Sequence, residues 1–343
     1  MIKSKHIFSY DIIKLIMAIV IAFLHLNYNL VPQGYLCVEG FFLLGGFFIS
    51  SNPSIKNYSF SEIVHKKLIS LFPMYLEVII LSLIFFTSAF TIDSFIKYIL
   101  YMQGIGFLDT AVSSMVPLWY LSVYFWCSIL FLWLFKNTKR ENVYFLCALI
   151  TFISFLCLYS FNPGHAFNYS LEKFTIIPVG MIRGLANISL GILLFPIYTN
   201  IKKTSLIKSR PVLVSILQVI IIVFLIKIVS FSGITAEYDF IFVILFSALI
   251  ILFKFNNGII SEIINKYGEK IMYFTNLSYP IYVFHNFIIT FIKEKCINLW
   301  YIILKYPIFY LLVVIIFVII ILEVNKLILL LKSSYNFKKK INV

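Results

Sequence analysis

Charged residues are scarce in this chain of 343 residues: only 12% are charged, while 62% are hydrophobic and the mean hydropathy is +1.00. A water-soluble domain with so few charges could not cover its own surface. Alternating segments of about ten residues are also missing, which excludes a transmembrane barrel. Apolar runs of about 18 residues or more recur instead. In lipid such runs must be helices, because each segment has to satisfy its own backbone polar groups.

Cysteine is equally sparse, with five residues in the whole chain, and none of them forms a CxxC pair. All five fall in or beside apolar segments, namely Cys37, Cys127, Cys147, Cys157 and Cys296. This pattern indicates small buried hydrophobic side chains rather than a disulfide framework or a zinc site. We therefore predict no metal.

The apolar runs predict an all-α polytopic membrane protein with about ten transmembrane helices. The first run is too long for a cleavable signal peptide, carries charged residues, and is not followed by a small-residue cleavage site. The predicted spans are 8–30, 35–52, 68–90, 117–135, 143–161, 175–198, 211–231, 239–255, 271–292 and 300–328.

The basic residues that give the chain its net charge of +14 are divided unevenly between the connections of the predicted spans. Twenty of the 28 Lys and Arg residues fall in alternate connections and at the two ends, against four in the opposite connections. The positive-inside rule places the basic side, with both termini, in the cytoplasm. The excess of basic over acidic residues thus reflects orientation in a lipid bilayer and attraction to anionic headgroups, so we expect no nucleic-acid partner.

The first span carries a polar stripe. Lys14 and His25, eleven residues apart, point within about 20° of each other on a helix, about 16 Å apart along its axis. Asp11 lies on the same side and can neutralise Lys14. Two interpretations stay open, because Lys14 could snorkel to the headgroups and His25 could hydrogen-bond a neighbouring helix.

Other ionisable residues fall inside spans, where each costs several kcal/mol unless it is paired or hydrated. Glu39 lies about four residues into the second span, at the depth of His25 across a short turn, so we expect this carboxylate to orient the imidazole as a general base. Arg183 must face a partner or a wet cavity, since it cannot lose its charge. Glu77 and His285 are further candidates.

Five short motifs resemble the membrane-bound acyltransferase 3 family and occur in its order over nearly the whole chain. Lys14 through His25 resembles the family's basic-x10-His signature. The other four are the segments 39–47 (EGFFLLGGF), 65–75 (HKKLISLFPMY), 117–121 (PLWYL, with Trp119) and 277–285 (LSYPIYVFH).

The resemblance implies a transmembrane acyltransferase domain over 1–331, followed by a basic cytoplasmic tail over 332–343. It implies transfer of an acyl group, usually acetyl, from cytoplasmic acetyl-CoA to a hydroxyl of a cell-surface or lipid-linked saccharide. His25 would be the base, oriented by Glu39, and cations near the cytoplasm would hold the CoA phosphates. The donor-binding cations are Lys14, Lys66 and Lys67, and further site candidates are Asp11, Glu77, Trp119, Arg183 and His285.

Two other classes share this topology. A transporter or flippase of lipid-linked saccharides would favour internal repeats and broken helices, of which Pro178 and Pro196 are the only sign. A structural subunit would use its polar residues only to join helices. Lys greatly outnumbers Arg, an association with AT-rich genomes that favours a bacterial inner membrane. The sequence predicts no oligomeric state.

Overall fold

The computed structural model describes residues 6–107, 112–162, 167, 172–203, 210–231 and 236–341, and most of these are helical. The strands β1 (Lys173–Phe174) and β2 (Ile177–Pro178) form a short antiparallel pair. The helices are α1 (Phe8–Leu26), α2 (Leu36–Ser51), α3 (Phe60–Phe85), α4 (Ile92–Ile99), α5 (Trp119–Asn137), α6 (Arg140–Phe161), α7 (Val179–Lys203), α8 (Pro211–Ser230), α9 (Ala236–Phe255), α10 (Ile259–Thr275), α11 (Ser278–Lys295), α12 (Ile297–Lys305) and α13 (Pro307–Ile341).

Eight helices in the described part of the chain are long and apolar enough to cross a bilayer. They are α1, α3, α5 with the 3₁₀ turn that precedes it, α6, α7, α8, α9 and α13. Large apolar side chains on these helices face outward, for example Phe145 and Phe152 on α6 and Ile244 on α9, all more than half exposed. Outward apolar surface suits lipid rather than water. The predicted all-α polytopic membrane fold is confirmed.

The two remaining predicted spans coincide with shorter or more polar helices. The second span is α2, an apolar helix of 16 residues. The ninth is α11, whose last turn carries Lys293, Glu294 and Lys295. These two helices, together with the eight long ones, account for the ten predicted spans, and the count of ten membrane crossings stays a prediction.

Several predicted boundaries differ from the observed helices. The span predicted over 271–292 is interrupted at Asn276, where α10 ends and α11 begins. The span predicted over 300–328 is interrupted before Pro307, because proline lacks the N–H that would continue α12 and is favoured at the first position of a new helix. Helix α3 begins earlier than predicted, because Ser59 and Glu62 form a capping box there. Helix α13 continues to Ile341, so the predicted tail from 332 starts as part of that helix.

Helices α2 and α7 pack closely against each other in the core, and two glycines permit their approach. A side chain at Gly46 would collide with the backbone of Ile188, and one at Gly191 would collide with the backbone of Leu43. Small residues allow helix backbones to come together in membrane proteins, where packing rather than hydrophobic burial drives association. Helix α1 packs mainly on α11, and these two contacts set the geometry of the site.

Candidate active site

A cavity of about 320 Å³ opens where residues of α1, α2, α5 and α11 meet. Helix α1 contributes Asp11 and Lys14 to its wall, and the junction between α10 and α11 contributes Asn276. The rest of the wall is largely aromatic. These aromatic residues are Phe41 and Phe48 on α2, Tyr120 and Tyr124 on α5, and Tyr279 and Tyr282 on α11.

The charged side of the cavity holds the ion pair that the sequence predicts. Lys14 Nζ lies 2.7 Å from Asp11 Oδ1, and the other carboxylate oxygen lies 2.5 Å from His6 Nε2. Lys14 is about one-third exposed and Asp11 about one-seventh. Asp11 therefore holds the Lys14 ammonium at the cavity wall while leaving it accessible.

The two lysines of α3 occupy different surroundings, although they are adjacent in sequence. Lys67 Nζ lies 3.9 Å from the centroid of the Tyr124 ring, which lines the cavity. Lys66 is exposed and its Nζ lies 3.1 Å from the ring centroid of Tyr58, which does not line the cavity. Successive helical residues point about 100° apart, which explains why Lys67 contacts a residue of the cavity wall and Lys66 does not.

His25 and His285 lie side by side because α1 packs on α11. Their ring centroids are 5.2 Å apart and the rings are tilted by 35°. The side chain of His25 is exposed, in the last turn of α1. His285 is completely buried.

The hydrogen bonds of His285 define its tautomer. Its Nδ1 lies 2.7 Å from the backbone oxygen of Tyr282 and 3.3 Å from that of Ile281. A carbonyl oxygen can only accept, so Nδ1 carries the hydrogen and Nε2 of the neutral ring carries a lone pair. Nε2 is buried and has no hydrogen-bond partner among the described residues.

A series of aromatic rings connects the cavity to the histidines. Tyr124 stacks on Tyr120 with centroids 5.7 Å apart, and Tyr120 contacts Tyr282 edge-on at 5.3 Å. Tyr282 in turn lies 5.8 Å from His285. Neither histidine lines the cavity, but these ring contacts join its wall to the imidazole pair.

Glu39 does not contact His25, so the predicted pairing of these two residues is wrong. Arg183 donates to Glu39 Oε1 through Nε, at 2.7 Å, and also through a terminal nitrogen. Asn187 donates to the other carboxylate oxygen at 2.5 Å. The sequence predicts the depth of Glu39 along α2. The rotation of α2 about its axis, however, turns the carboxylate towards α7 rather than α1.

Arg183 is 2% exposed and Glu39 is not exposed at all. The guanidinium carbon lies 4.8 Å from the centroid of the Trp119 ring, a cation–π arrangement. The cluster therefore joins α2, α7 and the first residue of α5 next to the cavity. Within this cluster, Glu39 is the charged partner that an intramembrane arginine requires.

Glu77 lies apart from the other site candidates. Its Oε1 accepts a hydrogen bond of 2.8 Å from Asn325 on α13, and it does not line the cavity. The contact ties α3 to α13 and is structural.

One buried carboxylate, Asp239 near the start of α9, is not among the site residues predicted from the sequence. It accepts hydrogen bonds from the Tyr35 hydroxyl at 2.8 Å and from the backbone N–H of Phe167 at 3.2 Å. Its position at the first residue of an apolar run could have marked it as an intramembrane charge.

The described residues contain no group of three or more His, Cys, Asp or Glu side chains that could hold a metal ion. A family model described as an acyltransferase domain matches residues 7–322 of the chain, nearly its whole length. No curated protein and no solved structure matches it.

Proposed function

Since the chain belongs to the acyltransferase 3 family, whose members are membrane acyltransferases, we propose that it transfers an acyl group, normally acetyl, from cytoplasmic acyl-CoA to a hydroxyl of a cell-surface or lipid-linked saccharide. The carrying observation is the arrangement of the site: Lys14 lines an aromatic cavity, Lys67 lies against the Tyr124 ring of its wall, and the two imidazoles adjoin the wall residue Tyr282. We place the enzyme in the inner membrane of a bacterium, with the cations towards the cytoplasm.

Lys14 and Lys67 suit the phosphate groups of the donor. Ammonium groups bind phosphate oxygens through charge-assisted hydrogen bonds. The distance of about 16 Å along α1 from Lys14 to His25 is about the length of a pantetheine arm. The arm would follow the aromatic wall, with its thioester towards the imidazoles.

His25 is the general base of the proposed reaction. An acceptor hydroxyl has too high a pKa to attack a thioester unaided, so a positioned base is needed. The side chain of His25 is accessible, whereas His285 is enclosed and bonded to its own helix. His285 therefore supports the ring of His25 instead of contacting the acceptor.

The role of Glu39 follows from its contacts with Arg183 and Asn187. It is a positioning residue that holds α2 against α7, since its carboxylate bonds are to α7. In this arrangement Glu39 affects the reaction by fixing the cavity wall that α2 provides.

The direct experiment measures the release of CoA from acetyl-CoA by the purified protein, with and without saccharide acceptors. We expect release that depends on the acceptor, and an acetyl mass increment on the product by mass spectrometry. A matched preparation of His25→Ala is the control for contaminating hydrolases. Acceptor transport in vesicles without any consumption of acyl-CoA would contradict the proposal and favour a transporter.

A further inference from the structure

Four tyrosines line the cavity, and three of their hydroxyls already have partners. Tyr279 donates to the backbone oxygen of Leu71 and Tyr282 to that of Pro117, each at 2.5 Å. The Tyr124 hydroxyl is hydrogen-bonded to the side chain of Lys67. These three hydroxyls hold the wall of the cavity together.

Tyr120 is different. Its side chain is only 7% exposed, and its hydroxyl has no hydrogen-bond partner in the described part of the chain. The hydroxyl oxygen is not among the fully buried polar atoms that lack a partner, so it keeps accessible surface on the cavity wall. A hydroxyl in this state on a cavity wall is available to a ligand that occupies the cavity.

The Tyr120 ring is held firmly in place. It lies 4.7 Å from the ring of Phe42 and 5.8 Å from that of Phe41, and it stacks on Tyr124 with an angle of only 13° between the planes. The preceding residue in the sequence, Trp119, makes the cation–π contact with the Arg183 guanidinium. The hydroxyl is thus fixed before any substrate binds, which is the condition under which a hydrogen-bond donor lowers a barrier most.

Tyr120 also has the required place along the site. On one side it contacts Tyr124, which holds Lys67, and on the other it contacts Tyr282, which borders His285. A donor whose phosphates bind Lys14 and Lys67 would extend its thioester past Tyr124 towards the imidazoles. Its carbonyl group would then pass Tyr120.

We propose that Tyr120 is a catalytic residue whose hydroxyl donates a hydrogen bond to the carbonyl oxygen of the donor thioester. This inference rests on the proposed function. The acceptor oxygen forms a bond to the thioester carbon while His25 takes its proton, and the carbonyl electron pair moves onto the oxygen that Tyr120 binds. When the pair returns, the carbon–sulfur bond breaks, and the CoA thiolate leaves with the proton that His25 carried.

The test compares Tyr120→Phe with Tyr198→Phe, a matched control. Tyr198 is also buried, its hydroxyl also has no hydrogen-bond partner among the described residues, and it does not line the cavity. Removing one preorganised donor to a developing oxyanion lowers kcat by about 100-fold or more. We expect that loss in Tyr120→Phe, with an unchanged Kd for CoA, and no loss in Tyr198→Phe.

Binding of CoA, which has no thioester carbonyl, reports folding of both variants independently of the reaction. A kcat within about twofold of the wild type in Tyr120→Phe overturns the inference while leaving the proposed function intact. A weaker Kd for CoA with normal kcat also overturns it, because Tyr120 would then hold the donor rather than the transition state. If the wild-type protein binds CoA but consumes no acyl-CoA with any acceptor, the proposed function fails and the role of Tyr120 fails with it.

Discussion

Glu39 on α2 and Arg183 on α7 form an ion pair that is almost completely buried, with Arg183 Nε 2.7 Å from Glu39 Oε1. Asn187, one turn further along α7, donates to the second carboxylate oxygen. The pair lies on the two helices that Gly46 and Gly191 bring into close contact. Close packing and charge pairing therefore fix the same interface, and that interface carries one wall of the cavity.

Removal of one partner from this pair should strongly destabilise the protein. Arg183→Met leaves the Glu39 carboxylate buried without its cation, which costs about 3–5 kcal/mol for buried pairs. The double variant Glu39→Gln with Arg183→Met should recover part of the loss, since no unpaired charge remains. Thermal unfolding in detergent measures both, with Lys227→Met on the exposed side of α8 as the control. Equal shifts for Arg183→Met and Lys227→Met would contradict a stabilising pair.

Lys66 and Lys67 should contribute unequally to donor binding. Lys67 reaches the ring of Tyr124 on the cavity wall, whereas Lys66 lies over Tyr58 outside it. A hydrogen bond between charged groups contributes about 1.5–3 kcal/mol, so Lys67→Ala should weaken CoA binding about tenfold or more. Lys66→Ala should change it little, and the difference should shrink as salt rises. If Lys67→Ala binds CoA as tightly as the wild-type protein in calorimetry, Lys67 is not part of the donor site.

Cysteine labelling tests the orientation of the protein in the membrane. We expect Asn142, exposed at the start of α6, to react only from the cytoplasm, and Asp93, exposed on α4, only from outside. The reason for this assignment is that the basic residues concentrate in alternate connections and at the two ends of the chain. Each site is replaced by cysteine in a background without the five native cysteines and probed with a membrane-impermeant maleimide on intact cells. Labelling of both positions from one side would be incompatible with the span assignment.

The membrane fold could be predicted from the sequence because lipid leaves few alternatives: an apolar segment that crosses it must be a helix. The pair Asp11–Lys14 could also be predicted, since its geometry depends only on spacing within one helix. Breaks inside apolar runs are harder to locate, and the span predicted over 300–328 does not include the break that the structure shows before Pro307.

The contacts between helices could not be predicted in the same way. Glu39 and His25 share a depth in the membrane, yet the rotation of α2 directs the carboxylate to Arg183. His285 was a candidate on its own, but its position next to His25 depends on α1 packing against α11. Helix rotation and choice of neighbour follow from the packing of the whole bundle, which no short motif records.

The imidazole pair provides the sharpest prediction about mechanism. His25→Ala should lower turnover by about 100-fold or more, as expected when a general base is removed, while the protein still inserts and binds CoA. His285→Asn keeps an N–H donor close to the position of Nδ1, so it should retain the bond to the backbone oxygen of Tyr282 and much of the activity. Initial rates of CoA release at saturating acetyl-CoA measure both variants. If His25→Ala turns over normally and His285→Asn is inactive, the base is the lone pair on Nε2 of His285, and the polar stripe of α1 only lines the path of the donor.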